Sequence, residues 1–529
     1  MLPTAITLGF SGPRKWFDPT DYPSIDEKAF ARDVENWLVD CLRRIPTELH
    51  LGPQHFICAI SQIAIGADMA FTRACQRLTF PQQIFLPQHR DAYLDATGPE
   101  GESDFPGHRK SEALTLLASP HIIHERVASD APNRETRFEE TNIELIRSSD
   151  VLLCLVREGA VGRPGGTRDV VERASKLGKP VLLITVDIIG SKPTFRERWL
   201  HATDVPRFIP PELPTEVAKL HVAGPPGILP DVEAFLEVVM AHCDQHAMRH
   251  SRFFKSAALI IVGTHCLATV CAVAALKVTA EKFYPLLLAF LGIEVMLLLT
   301  GFLVHHHLHH RAAASDWAFY RLLAEISRSV LSLKGCHMVL EHLHALPLPP
   351  ALHSYLRTIE ILHLQASRNT EKDTWLQARA QYTSNRLAGQ VSFYQRECTK
   401  AARLQRRAQK FFLWSSGSAI LATSLKLMFA VSHISPFGVG TADWKTLLGF
   451  LAVVLPVSAV AVLSLAAAND LQARQHTFGE MLDFLQIQQN RLRLAASRRD
   501  FTRIVMETES RLLGETVSWF SRRSFTGVA

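Results

Sequence analysis

The chain predicts two architectures in series: an α/β domain built on a parallel sheet with helices on both faces, then an all-α domain with four transmembrane helices and further helices outside the membrane. Two observations carry that prediction. From Ala5 to about Asp187, strand-length apolar runs alternate with amphipathic helical stretches, the pattern of a parallel sheet. Behind them lie four almost uncharged apolar runs of about twenty residues, each able at ~1.5 Å per residue to cross a ~30 Å hydrocarbon core.

In chain order, Ala5 to Phe10, Phe56 to Ile60, Gln83 to Leu86, Val151 to Val156 and Pro180 to Asp187 read as strands. Asp26 to Arg44, Ala67 to Leu78, Arg109 to Leu117, Glu135 to Ser148 and Arg168 to Leu177 have helical spacing and fall between them. This makes residues 1–190 a Rossmann-like domain, whose ligands bind beyond the carboxyl ends of the strands. His121 and His124 border a further candidate strand and read as packing or surface residues. Ser191 to Pro230, with its Pro and Gly, reads as a linker, and Asp231 to His250 as a connecting helix, together residues 191–250.

Ser256 to Leu276 and Tyr284 to Val304 form a first transmembrane hairpin (251–310), Phe411 to Val431 and Leu447 to Ala467 a second (411–470). A helix of a soluble core carries a polar face every few residues, and these runs carry none. Between the hairpins (311–410), Ala312 to Leu333 and Trp375 to Lys410 have helical spacing, with a break around His342 to His353; Leu471 to Phe520 is helical again (471–529). A duplicated helix–hairpin–helix unit fits this layout, although no clear residue-level repeat accompanies it.

The chain has 529 residues, 47% of them hydrophobic, and a formal charge of +6. That excess does not mark a nucleic-acid binder, because Arg252, Lys255, Arg403, Arg406, Arg407 and Lys410 crowd the approaches to the first and third apolar runs. Both hairpin loops are poor in Arg and Lys, so the positive-inside rule places both termini in the cytoplasm. No secretory signal opens the chain. Nine scattered cysteines without a CxxC pair argue against a zinc site or a disulfide framework.

Three turns in the front domain are rich in glycine or small residues: Gly9 to Arg14, Ile65 to Asp68 and Gly162 to Thr167. Glycine there lets backbone amides approach an anion, and the following helix adds partial positive charge. Three such turns on one sheet edge point to a phosphate-bearing ligand.

Those turns, with Arg137 to Asn142 ahead of Ser149-Asp150-Val151 and Gly178 to Val181, resemble the SLOG superfamily over residues 5–187. That Rossmann-like group includes Lonely-guy-type phosphoribohydrolases and sensor domains for nucleotide-derived messengers in bacterial immunity. The resemblance implies that Ser11, Gly12, Arg14, Gly66, Asp68, Gly165, Gly166 and Thr167 line a ligand site. Arg14 would neutralise a phosphate, Thr167 would donate to an anionic oxygen, and Asp68 would cap its helix or accept from a ribose hydroxyl. Asn142 and Asp150 match the family pattern, and a turn or packing role explains them as well. Lonely-guy-type hydrolases carry a Glu three residues after the threonine of their glycine-rich stretch; here that position holds Val170, which favours binding without turnover.

The rear half resembles the SLATT group, paired transmembrane helices with flanking cytoplasmic helices, through Trp317, Tyr320, Arg321, Glu325, Tyr394 and the stretch Glu507 to Trp519. Two hairpins instead of one depart from that group. Within the apolar runs, Glu294, His265 and Lys426 are candidates for a membrane path or gate, with Lys426 either pairing with Glu294 or snorkelling to the interface. The cluster His305 to His310 reads as a juxtamembrane band, and no metal is expected.

Together the resemblances imply an effector of the bacterial inner membrane that binds a cyclic oligonucleotide or an ADP-ribose derivative and opens a pore during phage infection, and a homo-oligomer is expected because one four-helix bundle rarely encloses a wide pore. No other cofactor is expected. The alternatives are a membrane-tethered nucleotide phosphoribohydrolase and a channel or transporter with an accessory nucleotide-binding domain.

Overall fold

The computed structural model describes residues 3–17, 22–98, 101–159, 165–201, 231–276, 280–310, 313–333, 352–369, 375–432, 441–469 and 471–525, with a few isolated residues between 278 and 348. The chain divides into two compact units. The first is Met1–Phe235 with Leu348–Lys372, the second Leu236–Pro347 with Asp373–Ala529.

The first unit is built on a seven-stranded sheet: β1 (Thr4–Ser11), β2 (His55–Ser61), β3 (Gln82–Leu86), β4 (Ile122–Val127), β5 (Val151–Arg157), β6 (Val181–Ile189) and β7 (Lys192–Leu200), in the order β4-β3-β2-β1-β5-β6-β7. β1 to β6 pair in parallel and β7 runs antiparallel to β6. Helices α1 (Glu27–Glu48), α2 (Ala67–Arg77), α3 (Arg90–Leu94), α4 (Arg109–Leu117), α5 (Arg134–Ser148) and α6 (Thr167–Lys176) connect them. Successive side chains of a strand point to opposite faces, and both faces are buried here. Leu153 and Leu155 of β5 pack with Leu38 of α1 and Phe71 of α2, whereas Leu152 and Cys154 pack with Leu145 of α5 and Val170 of α6.

Two expectations are corrected. The linker does not begin at Ser191: Lys192–Leu200 is an edge strand, because Phe195 and Trp199 lie on one face of it and pack against the core, Phe195 stacked on Trp37 at 4.1 Å. The rest of that linker, 202–230, lies outside the described residues. Nor is the segment between the hairpins wholly part of the rear domain, because Leu348–Lys372 belongs to the first unit. β5 pairs with β1 only from Leu8 onward, so the start of β1 has free backbone donors on that side. Thr358 Oγ1 accepts from the amide of Ala5 at 2.9 Å, Asp150 accepts from the amide of Thr7 at 2.9 Å, and Arg357 pairs with Asp150.

The second unit is helical: α7 (Val232–Ala275), whose first residues fall in the first unit, α8 (Ala280–His310), α9 (Ala313–Ser332), then, after α10 (His353–Asn369) of the first unit, α11 (Trp375–Gln381), α12 (Ala388–Ser432), α13 (Thr441–Ala468), α14 (Leu471–Leu494) and α15 (Arg498–Phe525). A π-helical turn, Tyr382–Leu387, joins α11 to α12. It aims Tyr382 and Arg386 at Glu509 of α15, the guanidinium binding that carboxylate in two places at 2.8 and 3.0 Å and the phenol at 2.8 Å.

Among the described residues four helices are long and apolar enough to cross a membrane, and they cover the four predicted runs, the first as far as Ala275. Only 6% of the most apolar window of Tyr284–His307 is buried, which leaves Leu291, Val295, Met296, Leu299 and Phe302 uncovered. In the second hairpin α12 and α13 pack closely, and Ser415 Oγ donates to the carbonyl of Leu455 at 2.7 Å. The loops between the paired helices lie largely outside the described residues.

Candidate functional site

The sheet order puts the crevice between β1 and β5, where the connections leave in opposite directions. Its walls are the turns after β1 and β5. Ser11 ends β1 and Thr167 opens α6, and Ser11 Oγ donates to Thr167 Oγ1 at 3.2 Å across the crevice. Gly166 is the N-cap of α6 and, as glycine, offers no side chain to the helix's first amides.

Close backbone approach accounts for the glycines. Gly66 has φ +87°, and a Cβ there would lie 2.5 Å from the carbonyl oxygen of Arg14; a Cβ on Gly12 would lie 2.3 Å from that of Ala67. The first two turns are therefore pressed together, with the amide of Ala67 donating to the carbonyl of Pro13 at 3.0 Å. The third turn is held by Asn142, which donates to the carbonyl of Gly165 at 2.8 Å and accepts from Gln62 at 2.8 Å. Gly162, Arg163 and Pro164 lie outside the described residues.

Asp68 is not the N-cap of α2, a position held by Gly66, but lies within the helix's first turn. Its buried carboxylate accepts from the amides of Ala64, at 3.3 Å, and Gly12, and so latches the turn before α2 to the turn after β1. Burial pushes its pKa up to about 7, against the smaller pull of those amides and of Arg14.

Arg14 lies beside Asp104, 3.1 Å from Oδ1, and Arg134 donates to the same oxygen at 2.8 Å, with its other nitrogen 2.6 Å from Oδ2. Burial works to raise the Asp104 pKa, and the two guanidiniums overcome it and hold the group below the ordinary range. Two cations on one carboxylate leave a net positive charge. Beside them a pocket of about 170 Å³ opens beyond β3, lined by Tyr93, Arg134 and Arg137. The Tyr93 hydroxyl is buried there without a hydrogen-bond partner among the described residues.

The structure also brings Gln62, Asp104, Arg134 and Tyr93 beside these turns, and the sequence reading singled out none of the four. Arg134 and Arg137, three apart at the start of α5, were the available signal. Asp150 lies at the opposite, amino end of the sheet, where it anchors Arg357.

In the second unit, the predicted pairing of Lys426 with Glu294 is not made: among the described residues neither joins an ion pair, and Lys426 is exposed. Among the described residues the His265 ring makes no hydrogen bond across the helices; its Nδ1 lies 2.8 Å from the carbonyl of Ile261 one turn back, and its ring packs on Gly301 of α8. Among the described residues no cluster of His, Cys, Asp and Glu has metal-binding geometry, and the side chains of His309 and His310 lie outside them.

Comparison with protein-family models, curated proteins and solved structures found no match to this chain.

Proposed function

We propose that the chain is a nucleotide-messenger-sensing membrane effector, a SLOG-like sensor domain followed by SLATT-like helices that form or disrupt a pore in bacterial anti-phage defence. The observation that carries this reading is the switch point between β1 and β5, where Ser11, Gly12, Gly165 and Thr167 meet at the glycine-capped start of α6, in a chain that also has four apolar membrane-length helices among its described residues. Arg14 and Arg134 supply excess positive charge beside it.

The first turn of α6 favours binding without turnover. Val170 is fully buried in the sheet-facing core, and Asp169 is spent on the amide of Gly165 and on Arg173. No carboxylate of that turn is left to attack or protonate a glycosidic bond. A ligand that prefers the open state by ~100-fold supplies ~2.7 kcal/mol, so several subunits act together.

Purified full-length protein, tested by thermal unfolding against cyclic oligonucleotides and ADP-ribose derivatives, is expected to be stabilised by one of them, with loss of the shift in Arg14→Gln and Thr167→Val. The same ligand should release dye from vesicles carrying the protein. Release of free base from nucleoside monophosphates at an enzymatic rate, or stabilisation unchanged in both variants, overturns the reading.

A further inference from the structure

The second unit holds a solvent-open cavity of about 1240 Å³ between α7, α9, α12, α14 and α15. Its lining carries seven arginines and lysines against four carboxylates. Three of those carboxylates are matched: Asp244 and Glu325 bind Arg328, and Glu397 binds Arg474 and Lys400. The fourth, Glu515, joins no ion pair among the described residues, and burial raises its pKa, which weakens it further as a counter-charge. Arg252, Lys255, Arg321 and Arg522 join no ion pair among the described residues; Lys255 feels the repulsion of Arg474, Lys400 and Arg321 against the attraction of Glu397, and Glu515 answers Arg321 and Arg522 only at longer range. Such crowding of like charge is relieved by an anion between them.

The place of the cavity says which anion. Lys255 immediately precedes the first apolar run, and Ala468 and Asn469 immediately follow the fourth. With those helices in a bilayer, the cavity lies at headgroup depth, where indoles also concentrate. Trp317 and Trp519 are in its wall, and each already carries a cation on one face: Lys255 Nζ lies 5.8 Å from the ring centre of Trp317 and Arg321 Cζ 4.8 Å from that of Trp519. A nucleobase stacking on those faces would displace the cations, whereas a phosphate meets them as they stand.

We propose that this cavity binds the phosphate of an anionic phospholipid, with Lys255 and Arg321 as its principal partners. The site is separate from the crevice of the first unit, and it rests on the reading that the four helices cross a membrane. Thermal unfolding of the full chain in neutral detergent, titrated with short-chain phosphatidylglycerol, phosphatidylcholine, glycerol 3-phosphate or inorganic phosphate, tests it. Phosphatidylglycerol alone should raise the unfolding temperature. Lys255→Gln and Arg321→Gln should each weaken that response about tenfold, the loss expected for one charge-assisted hydrogen bond, and Arg493→Gln, an exposed charge outside the cavity, should leave it unchanged.

An equal shift with phosphatidylcholine, an equal shift with either free phosphate, or an equal loss in Arg493→Gln overturns the proposal. If the cavity variants do not fold, lipid phosphorus retained by wild-type protein from mixed vesicles decides it: retention of phosphatidylglycerol no greater than its share of the vesicle is refutation. Flotation with pure phosphatidylcholine vesicles keeps the two readings apart. Failure to float sinks the membrane reading, while insertion without preference for the anionic lipid sinks this site alone.

Discussion

At the level of single residues, Asp68 shows how a side chain at a ligand-facing turn can serve the turn itself. Its carboxylate bridges two backbone segments, yet the cost of burying its charge exceeds what two amides and Arg14 return, so its pKa is raised from 3.8 to about 7. The folded state therefore holds a proton that the unfolded chain has released above its ordinary carboxylate pKa. Stability from this group is complete below about pH 4 and is lost as pH rises toward 7, by up to about 4 kcal/mol for such a shift. Asp68→Asn keeps the hydrogen-bond acceptor and removes the titration. The variant's unfolding temperature should fall less than that of the wild type between pH 4.5 and 7.5, a comparison in which other titrating groups cancel; parallel curves would show that Asp68 is solvated in the native protein.

Among the elements, the π-helical turn and α15 are joined by a fully buried ion pair. Arg386 and Glu509 are both shielded from solvent, and burial works to raise the pKa of Glu509 while the guanidinium overrides it and keeps the carboxylate ionised. Removing one partner strands a charge: Glu509→Leu should cost about 3–5 kcal/mol, and Arg386→Met with Glu509→Leu should recover most of it. Denaturant unfolding of both proteins checks this, and a double variant as unstable as the single one would mean the pair is not the source of the loss. That contact was not legible in the sequence, because it joins residues 123 positions apart. β1 to β3, β5 and β6 were legible, since strands buried on both faces are continuous apolar runs. β7 was not, because an exposed edge strand such as Lys192–Leu200 carries only Phe195 and Trp199 on its inner face among charges. α10 gave no local sign of its place, which depends on Thr358 and Arg357 meeting backbone and carboxylate groups more than 200 residues away. The site followed the same division: glycines announce their turns, whereas Asp104 between Arg14 and Arg134 is a product of the fold.

For the whole molecule, the question is what covers the apolar helices and what answers the charge within them. Glu294 lies midway along Tyr284–His307, surrounded in sequence by residues whose side chains are uncovered, and it joins no ion pair among the described residues. A carboxyl group at that depth facing lipid costs about 2.5–3.5 kcal/mol, whereas one facing another copy of the same helix gains a hydrogen-bond partner and a path to water. The proposed pore needs such copies, because a single chain offers four spans and four helices rarely enclose a wide passage. Glu294→Leu is therefore expected to weaken self-association in detergent and abolish ligand-dependent dye release, while Glu294→Gln, which retains hydrogen bonding, keeps the assembly. Native mass spectrometry with vesicle leakage reads both. A wild-type protein that is monomeric yet releases dye, or an oligomer indifferent to Glu294→Leu, would place the path elsewhere than between the second spans of neighbouring chains.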